Sequence, residues 1–332
     1  MRSKAISLVM LLFWAGASGL SSCSRGEYSG KVETLTIATV PTELNAPLYI
    51  AADQDFFTRN GLQVTIKENY DSGATATAGM LNGEADVATA SEFVIVRQIL
   101  NGKDLLNFGT ITKYENTFIV WLADRGLKTI QDLKGKKVGV TLKTISEFYL
   151  GRTFGLNGLD LKQVTLVDVK AADAERAIAQ GEVDAVVTWE PWVTRIDQHR
   201  GKEVIISALQ SSQQAYWNLV STGQWAKNRS EIIKRLLKSI TQAEGYLARH
   251  QAEAKAIVRN RLKFNDAFME RVWPRYQFSL SLDQSLIAAM EDEARWMMSH
   301  NLTLEKKMPD FKNYIYVDGL KATKPEAVNI IP

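Results

Sequence analysis

Residues 81–92 read LNGEADVATASE and residues 179–190 read AQGEVDAVVTWE, and four pairs match without a gap: Gly83/Gly181, Glu84/Glu182, Asp86/Asp184 and Glu92/Glu190. In each copy a helix ends at a glycine able to take positive φ, an acidic turn follows, and a short apolar strand begins. Such a recurrence asks for two similar α/β lobes. In each, the strand delivers its C-terminal end to one edge of a sheet, where open α/β sheets hold their ligands.

The rest of the chain agrees. Strand-like runs fall at Thr34–Val40, Leu62–Lys67, Val87–Ala90, Asn107–Thr112 and Phe118–Ala123, then at Lys137–Thr141, Val164–Val169, Ala185–Trp189 and Asn218–Thr222. Between them lie helical segments at Leu48–Thr58, Ala74–Leu81, Phe93–Leu100, Ser146–Asn157 and Ala172–Gln180. This alternation predicts mostly parallel sheets covered on both faces. After Thr222 the pattern turns helical, over Asn228–His250 and Gln251–Lys263. A final helix runs to about His300, opened by Ser281-Leu-Asp-Gln284 in the manner of a capping box. Its Leu286, Ile287, Met290, Ala294 and Met297 keep helical spacing and read as core contacts.

Composition excludes several classes. Apolar residues make up 45% and charged residues 23%, too balanced for a disordered chain. Arg2 and Lys4 carry two of the net +3, so the body is nearly neutral and no nucleic-acid partner is expected. With one cysteine, and with His199, His250 and His300 far apart, neither an internal disulfide nor a metal site is expected, and no cofactor is called for.

That cysteine has another use. Arg2 and Lys4 precede an apolar stretch from Ala5 to about Leu20, short for a membrane-spanning helix. It ends in Leu20-Ser-Ser-Cys23, which resembles the bacterial lipobox. Residues 1–23 are therefore expected to be a lipoprotein signal peptide with Cys23 as the lipidated residue. Residues 24–33 are expected to form a flexible tether. The body would then sit in the periplasm or at the outer face of a bacterial cell membrane, lipid-anchored.

Four segments, two of them from the repeat, carry a family resemblance: Pro47-Leu-Tyr-Ile-Ala-Ala-Asp-Gln-Asp-Phe-Phe57 with Asn60-Gly-Leu62; Leu81-Asn-Gly-Glu-Ala-Asp86; Asp132-Leu-Lys-Gly-Lys-Lys-Val-Gly-Val140; and Gly181-Glu-Val-Asp-Ala-Val-Val-Thr-Trp-Glu-Pro191. In this order they resemble the solute-binding lipoproteins of ABC importers in the nitrate/sulfonate/taurine and thiamine-pyrimidine group. The resemblance implies an α/β, two-lobed periplasmic-binding-protein type II fold. Each lobe would be a mostly parallel sheet flanked by helices, with helical C-terminal cladding. Lobe 1 would comprise residues 34–115 plus 217–332, and lobe 2 residues 116–216. It also implies a monomer, a small-molecule ligand closed between the lobes, and ABC permease and ATPase subunits as partners.

Five segments are expected to face the cleft. Lobe 1 brings Thr42–Asn45, Ser72-Gly73 and Ser91-Glu92; lobe 2 brings Lys143–Ser146 and Trp189-Glu-Pro-Trp192. The candidate ligand-binding residues are Asn45, Ser72, Gly73, Ser91, Glu92, Lys143, Thr144, Ser146, Trp189, Glu190 and Trp192. Serines at helix starts and Lys143 suit an oxyanion, although the serines could equally be plain N-caps. Glu190 between two tryptophans, with Glu92 opposite, suits an amine or ring N–H. A taurine-like aminosulfonate would satisfy both. A pyrimidine precursor of thiamine would use the aromatics and acids better, and nitrate would leave two carboxylates unpaired. Tyr114, Tyr216 and Trp217 fall near the crossings and could form the cleft floor. An enzyme resembling a pyrimidine synthase would need a cysteine-rich motif and a well-placed histidine, and neither is present in these segments. A ligand sensor for a membrane signalling protein would have the same lobes.

Overall fold

The computed structural model describes residues 28–211 and 213–331, so the signal segment and Cys23 lie outside the described residues. The chain first forms β1 (Glu33–Ala38), α1 (Ala46–Asp53), α2 (Phe56–Arg59), β2 (Leu62–Lys67), α3 (Gly73–Leu81), β3 (Val87–Ser91), α4 (Glu92–Leu100) and β4 (Leu105–Tyr114). It then passes to a second sheet with β5 (Phe118–Leu122), β6 (Lys137–Val140), α5 (Ile145–Leu156), β7 (Thr165–Asp168), α6 (Ala174–Ala179), β8 (Ala185–Thr188), α7 (Trp192–Arg200) and β9 (Val204–Ala208). It returns through β10 (Ala215–Thr222) to α8 (Gly223–Asn228), α9 (Ser230–Arg249), α10 (Gln251–Leu262), α11 (Asp266–Val272), the short β11 (Tyr276–Gln277), α12 (Gln284–Ser299) and α13 (Asp318–Thr323).

The two sheets are built on one plan. The first runs β11-β4-β10-β3-β1-β2 and the second β7-β6-β8-β5-β9. In each, three parallel strands (β2-β1-β3 and β7-β6-β8) meet an antiparallel strand carried over from the other side of a crossing, β10 and β5 respectively. The repeated motif explains this symmetry. Gly83 and Gly181 have φ of 81° and 73°. Asp86 Oδ2 accepts from Thr36 N, in the middle of β1, and Asp184 Oδ2 from Lys137 N, at the start of β6, both at 2.8 Å, so each aspartate ties its turn to the neighbouring parallel strand. Asp86 also accepts from Trp225 Nε1 at 3.1 Å. Removing a partner of a half-buried hydrogen bond costs about 1–3 kcal/mol. Asp86→Ala should therefore destabilise the fold by about 2 kcal/mol and Asp184→Ala by about half that, read from urea midpoints at unchanged slope.

Two local expectations differ. The helix expected over Leu48–Thr58 is split because Asp55 takes a left-handed φ of 56°. The Ser281 capping box does not form: Ser281 pairs with Thr110 as an isolated bridge, its hydroxyl donates to Asp283 at 2.9 Å, and the helix starts at Gln284 without a side-chain cap. Leu286, Ile287, Met290, Ala294 and Met297 are buried as their spacing requires. In the C-terminal part α9 packs on α1 and α2, α10 on α1, and α12 on α4. Of the tether, Tyr28 lies under the Arg235 guanidinium at 4.6 Å and Arg235 donates to Lys31 O.

Gln210 ties the two crossings together. Its Oε1 accepts from the N–H groups of Asn116 and Thr117, and its Nε2 donates to Tyr114 O and Gln213 O.

Candidate functional site

Three helices aim their N-termini into one space between the sheets. Each of α3, α4 and α5 follows the carboxyl end of a strand, so the first-turn N–H groups that no helical carbonyl can reach converge there. The space is a chamber of about 60 Å³. Ser72, Gly73 and Ser91 line it from the first sheet, Thr144, Ser146 and Trp189 from the second, and Tyr114 and Trp217 from the crossings. Among the described residues, no lysine, arginine, aspartate, glutamate or histidine lines it.

The hydroxyls are not equivalent. Ser72 Oγ accepts from Thr75 N at 3.2 Å and Thr75 answers on Ser72 N, a reciprocal cap. Thr144 Oγ1 donates to Thr141 O at 2.7 Å. Ser91 makes no capping bond. Ser146, fully buried in the first turn of α5, has no hydrogen-bond partner for its Oγ. A buried hydroxyl without a partner is costly, so this Oγ is available to bond a group that enters the chamber. Gly73 has no side chain for a reason: a Cβ there would stand 3.1 Å from Ala90 Cα and 3.2 Å from Trp217 Cη2.

The chamber shares Val40, Thr42, Ser72, Ala74, Val94 and Trp189 with a wider vestibule of about 770 Å³. Lys143, Glu190 and Trp192 stand in the vestibule. Lys143, at φ 67°, gives its N–H to Glu147 Oε2 at 2.8 Å. Trp192 lies under the Arg195 guanidinium at 4.7 Å. Lobe-to-lobe ion pairs cross here, Asp71–Lys170 at 2.8 Å and Arg97–Glu147 at 3.9 Å.

Three candidate residues are turned to other work. Asn45 does not line the chamber: its amide donates to Thr39 Oγ1 and Val40 O, both at 2.8 Å, and its Oδ1 accepts from Trp217 Nε1 at 2.8 Å. It positions the chamber's tryptophan. Glu92 points behind the chamber, where Oε2 accepts from Tyr216 N at 2.9 Å, and burial pushes its carboxyl up to about 8. Glu190 Oε2 accepts from Thr194 N at 2.9 Å and Thr194 Oγ1 at 2.6 Å, while Oε1 lies 3.7 Å from Arg275 Nη1. It caps α7 and faces an arginine of the C-terminal part. Tyr216 likewise lies outside the chamber, with Lys113 Nζ 5.7 Å from its ring.

Asn116 and Thr117 line the chamber although sequence reasoning did not single them out. Their only signal was position, between β4 and β5. The three histidines lie elsewhere: His199 on Glu175, His250 on Tyr246 and His300 on Trp296. Among the described residues there is no cluster of acidic, histidine or cysteine side chains able to hold a metal ion, and no helix long and apolar enough to cross a membrane.

Residues 44–254, more than half of the chain, match the family model described as NMT1/THI5 like. The chain belongs to that family. Among curated relatives, "Putative binding protein YtlA" of Bacillus subtilis is 23% identical over 70% of this chain and 71% of its own length. The "Putative thiamine biosynthesis protein" of Haemophilus influenzae is 26% identical over 63% of this chain and 67% of its own. Among solved structures, the alkanesulfonate-binding protein SsuA of Xanthomonas axonopodis pv. citri, bound to MOPS, superposes with a TM-score of 0.76 at 19% identity, covering 87% of this chain and all of that one. The fold is the two-lobed periplasmic-binding-protein fold that the sequence resemblance implied.

Proposed function

We propose that this NMT1/THI5-like chain is the extracytoplasmic solute-binding subunit of an ABC importer, and that it closes its lobes over the oxyanion head of a small organic anion of sulfonate type. Residues 34–115 with 217–332 would move as one lobe and 116–216 as the other, with Cys23 lipidated and the permease reading the closed form. The observation that carries the reading is Ser146. Its buried, unpartnered Oγ stands at the first turn of α5, in a chamber that the starts of α3 and α4 also face. First-turn N–H groups and helix dipoles stabilise an anion without a full positive charge, and the chamber has none. The likeness to a sulfonate-binding protein points the same way. Hydroxyls that lack a neighbouring histidine or carboxylate as base equip the chamber for holding rather than transforming its ligand.

Ser146→Ala tests this. Calorimetric titration of the full chain in detergent with ethanesulfonate should show affinity about tenfold weaker, the value of one lost hydrogen bond to a charged group, with the melting temperature unchanged or slightly raised. Unchanged affinity would remove Ser146 from the head site. A pyrimidine is the second reading, favoured by the edge-on Tyr114–Trp217 pair at 6.3 Å. It lacks a free carboxylate for its ring N–H, since Glu92 and Glu190 are both engaged.

A further inference from the structure

Resting on the reading of Cys23 as a lipidated residue, we infer that the face around the start of α9 is the side of the protein that lies on the membrane, and that it fits an anionic phospholipid surface. Between Cys23 and Tyr28, the first described residue, the chain has only Ser24-Arg-Gly-Glu27. Five Cα-to-Cα steps reach at most about 18 Å, so a lipid on Cys23 keeps Tyr28 within that distance of the headgroups. Tyr28 is in turn seated on the body. Its ring lies under the Arg235 guanidinium at 4.6 Å and over Gly61, where a Cβ would strike it. Arg235 also donates to Lys31 O at 3.1 Å, and Glu33 N donates to Gly61 O at 3.0 Å. The attachment point is thus fixed at one side of α9.

The surface beside that point is one-sided in charge. Lys31, Lys227, Arg229 and Lys238 are exposed, and Lys234 is half-buried. The acids among them are Glu33, 2.9 Å from Lys31 and 4.0 Å from Arg229, and Glu231, which Arg235 takes up at 3.2 Å. The flanking Asp104 and Asp318 have Lys103 next in sequence and Lys321 one helical turn on. A helix turns every 3.6 residues, so Glu231, Lys234 and Lys238 share one stripe of α9, opposite the buried Ile233, Leu236 and Ile240. Val32, 57% exposed beside Lys31, adds an apolar residue to the same edge. Lysine and arginine attract anionic headgroups within a Debye length, about 8 Å at physiological salt. A multiple-chain acyl anchor holds without their help, so these cations set which side faces the bilayer rather than whether the protein stays on it.

Lysine footprinting of the acylated full chain tests this orientation. On vesicles of mixed phosphatidylglycerol and phosphatidylcholine, acetylation should slow about fivefold at Lys31, Lys227, Lys234 and Lys238 relative to the chain in detergent, with Lys162 and Lys202 of the second lobe unchanged. Pure phosphatidylcholine vesicles, or salt at about 0.5 M, should release most of that protection. Lys234→Glu combined with Lys238→Glu should release it at Lys31 and Lys227 too, at an unchanged melting temperature. Protection spread evenly over both lobes, or absent from the four lysines, overturns the orientation, and equal protection on pure phosphatidylcholine overturns the fit to anionic lipid. The mass of the N-terminal peptide separates the two readings. An acylated Cys23 without selective protection removes this orientation alone, whereas a Cys23 without an acyl group removes the anchoring reading and the orientation with it.

Discussion

The protein should melt highest near pH 4.5 and lose roughly 10 °C between about pH 5.5 and 8.5, the reverse of ordinary acid denaturation. Three buried glutamates set this direction. Burial raises Glu43 from 4.5 to about 7, Glu92 to about 8, and Glu293 well above the usual carboxylate range. Glu43 is partly relieved by the Tyr276 hydroxyl and Glu92 by Tyr216 N, whereas Glu293 Oε2 has no hydrogen-bond partner. Between the unfolded value and the folded one, the folded form holds protons that the unfolded form has released. Stability then falls with rising pH by about 1.4 kcal/mol per unit for each such group. The fall starts above about 4.5 and ends for Glu43 near 7 and for Glu92 near 8. Glu33, Asp132, Asp283 and Glu305 are shifted the other way, so the stability they add is lost only as pH drops below the ordinary carboxylate range, and they do not offset the loss. Calorimetry across that range would check the slope, and Glu92→Gln should flatten its share. A melting temperature that is level or rising between about pH 5.5 and 8.5 would mean these carboxyls ionise in the fold at little cost.

The same glutamates show how far the sequence could be read. The repeat was legible because its glycines and aspartates do local jobs that recur with the topology: positive φ at Gly83 and Gly181, and a strand N–H held by Asp86 and Asp184. Glu92 and Glu190 match in position but not in use. Glu92 reaches the returning crossing at Tyr216, and Glu190 turns onto its own helix. Which of these happens depends on partners more than 100 residues away in one case and on four residues in the other, and no local pattern tells them apart. Serine and glycine at strand ends fall in one chamber because strand direction brings Ser72, Gly73, Ser91 and Ser146 together. Asn45 and Lys143 occupy the same kind of segment, yet a set of amide bonds and a left-handed backbone take them out of it. Asn116 and Thr117 were hidden, since a crossing between sheets is defined by tertiary contacts such as those of Gln210.

Gly73→Val should abolish binding, weakening ethanesulfonate more than about 100-fold while the protein stays folded, because the added atoms strike groups that cannot yield. A Cβ at this position meets Ala90 Cα at 3.1 Å and Thr89 O at 3.3 Å, both backbone atoms of β3 in the middle of the first sheet. The third neighbour, Trp217 Cη2 at 3.2 Å, belongs to a ring held by Asn45 and wedged edge-on against Tyr114. With both walls fixed, the first turn of α3 must move outward. That motion swings its free N–H groups off the point where the starts of α4 and α5 also converge. Convergence is the property that matters: one helix start contributes at most about 1–2 kcal/mol to an anion, and several must share one centre to hold it in competition with water. Gly73→Ala requires a shift of only tenths of an ångström and should retain most of the affinity. Calorimetric titration of both variants separates the cases, with melting temperatures confirming that the fold survives. If Gly73→Val binds within about threefold of wild type, α3 is not a wall of the head site, and the anion must be held by α4 and α5 with Ser146 alone.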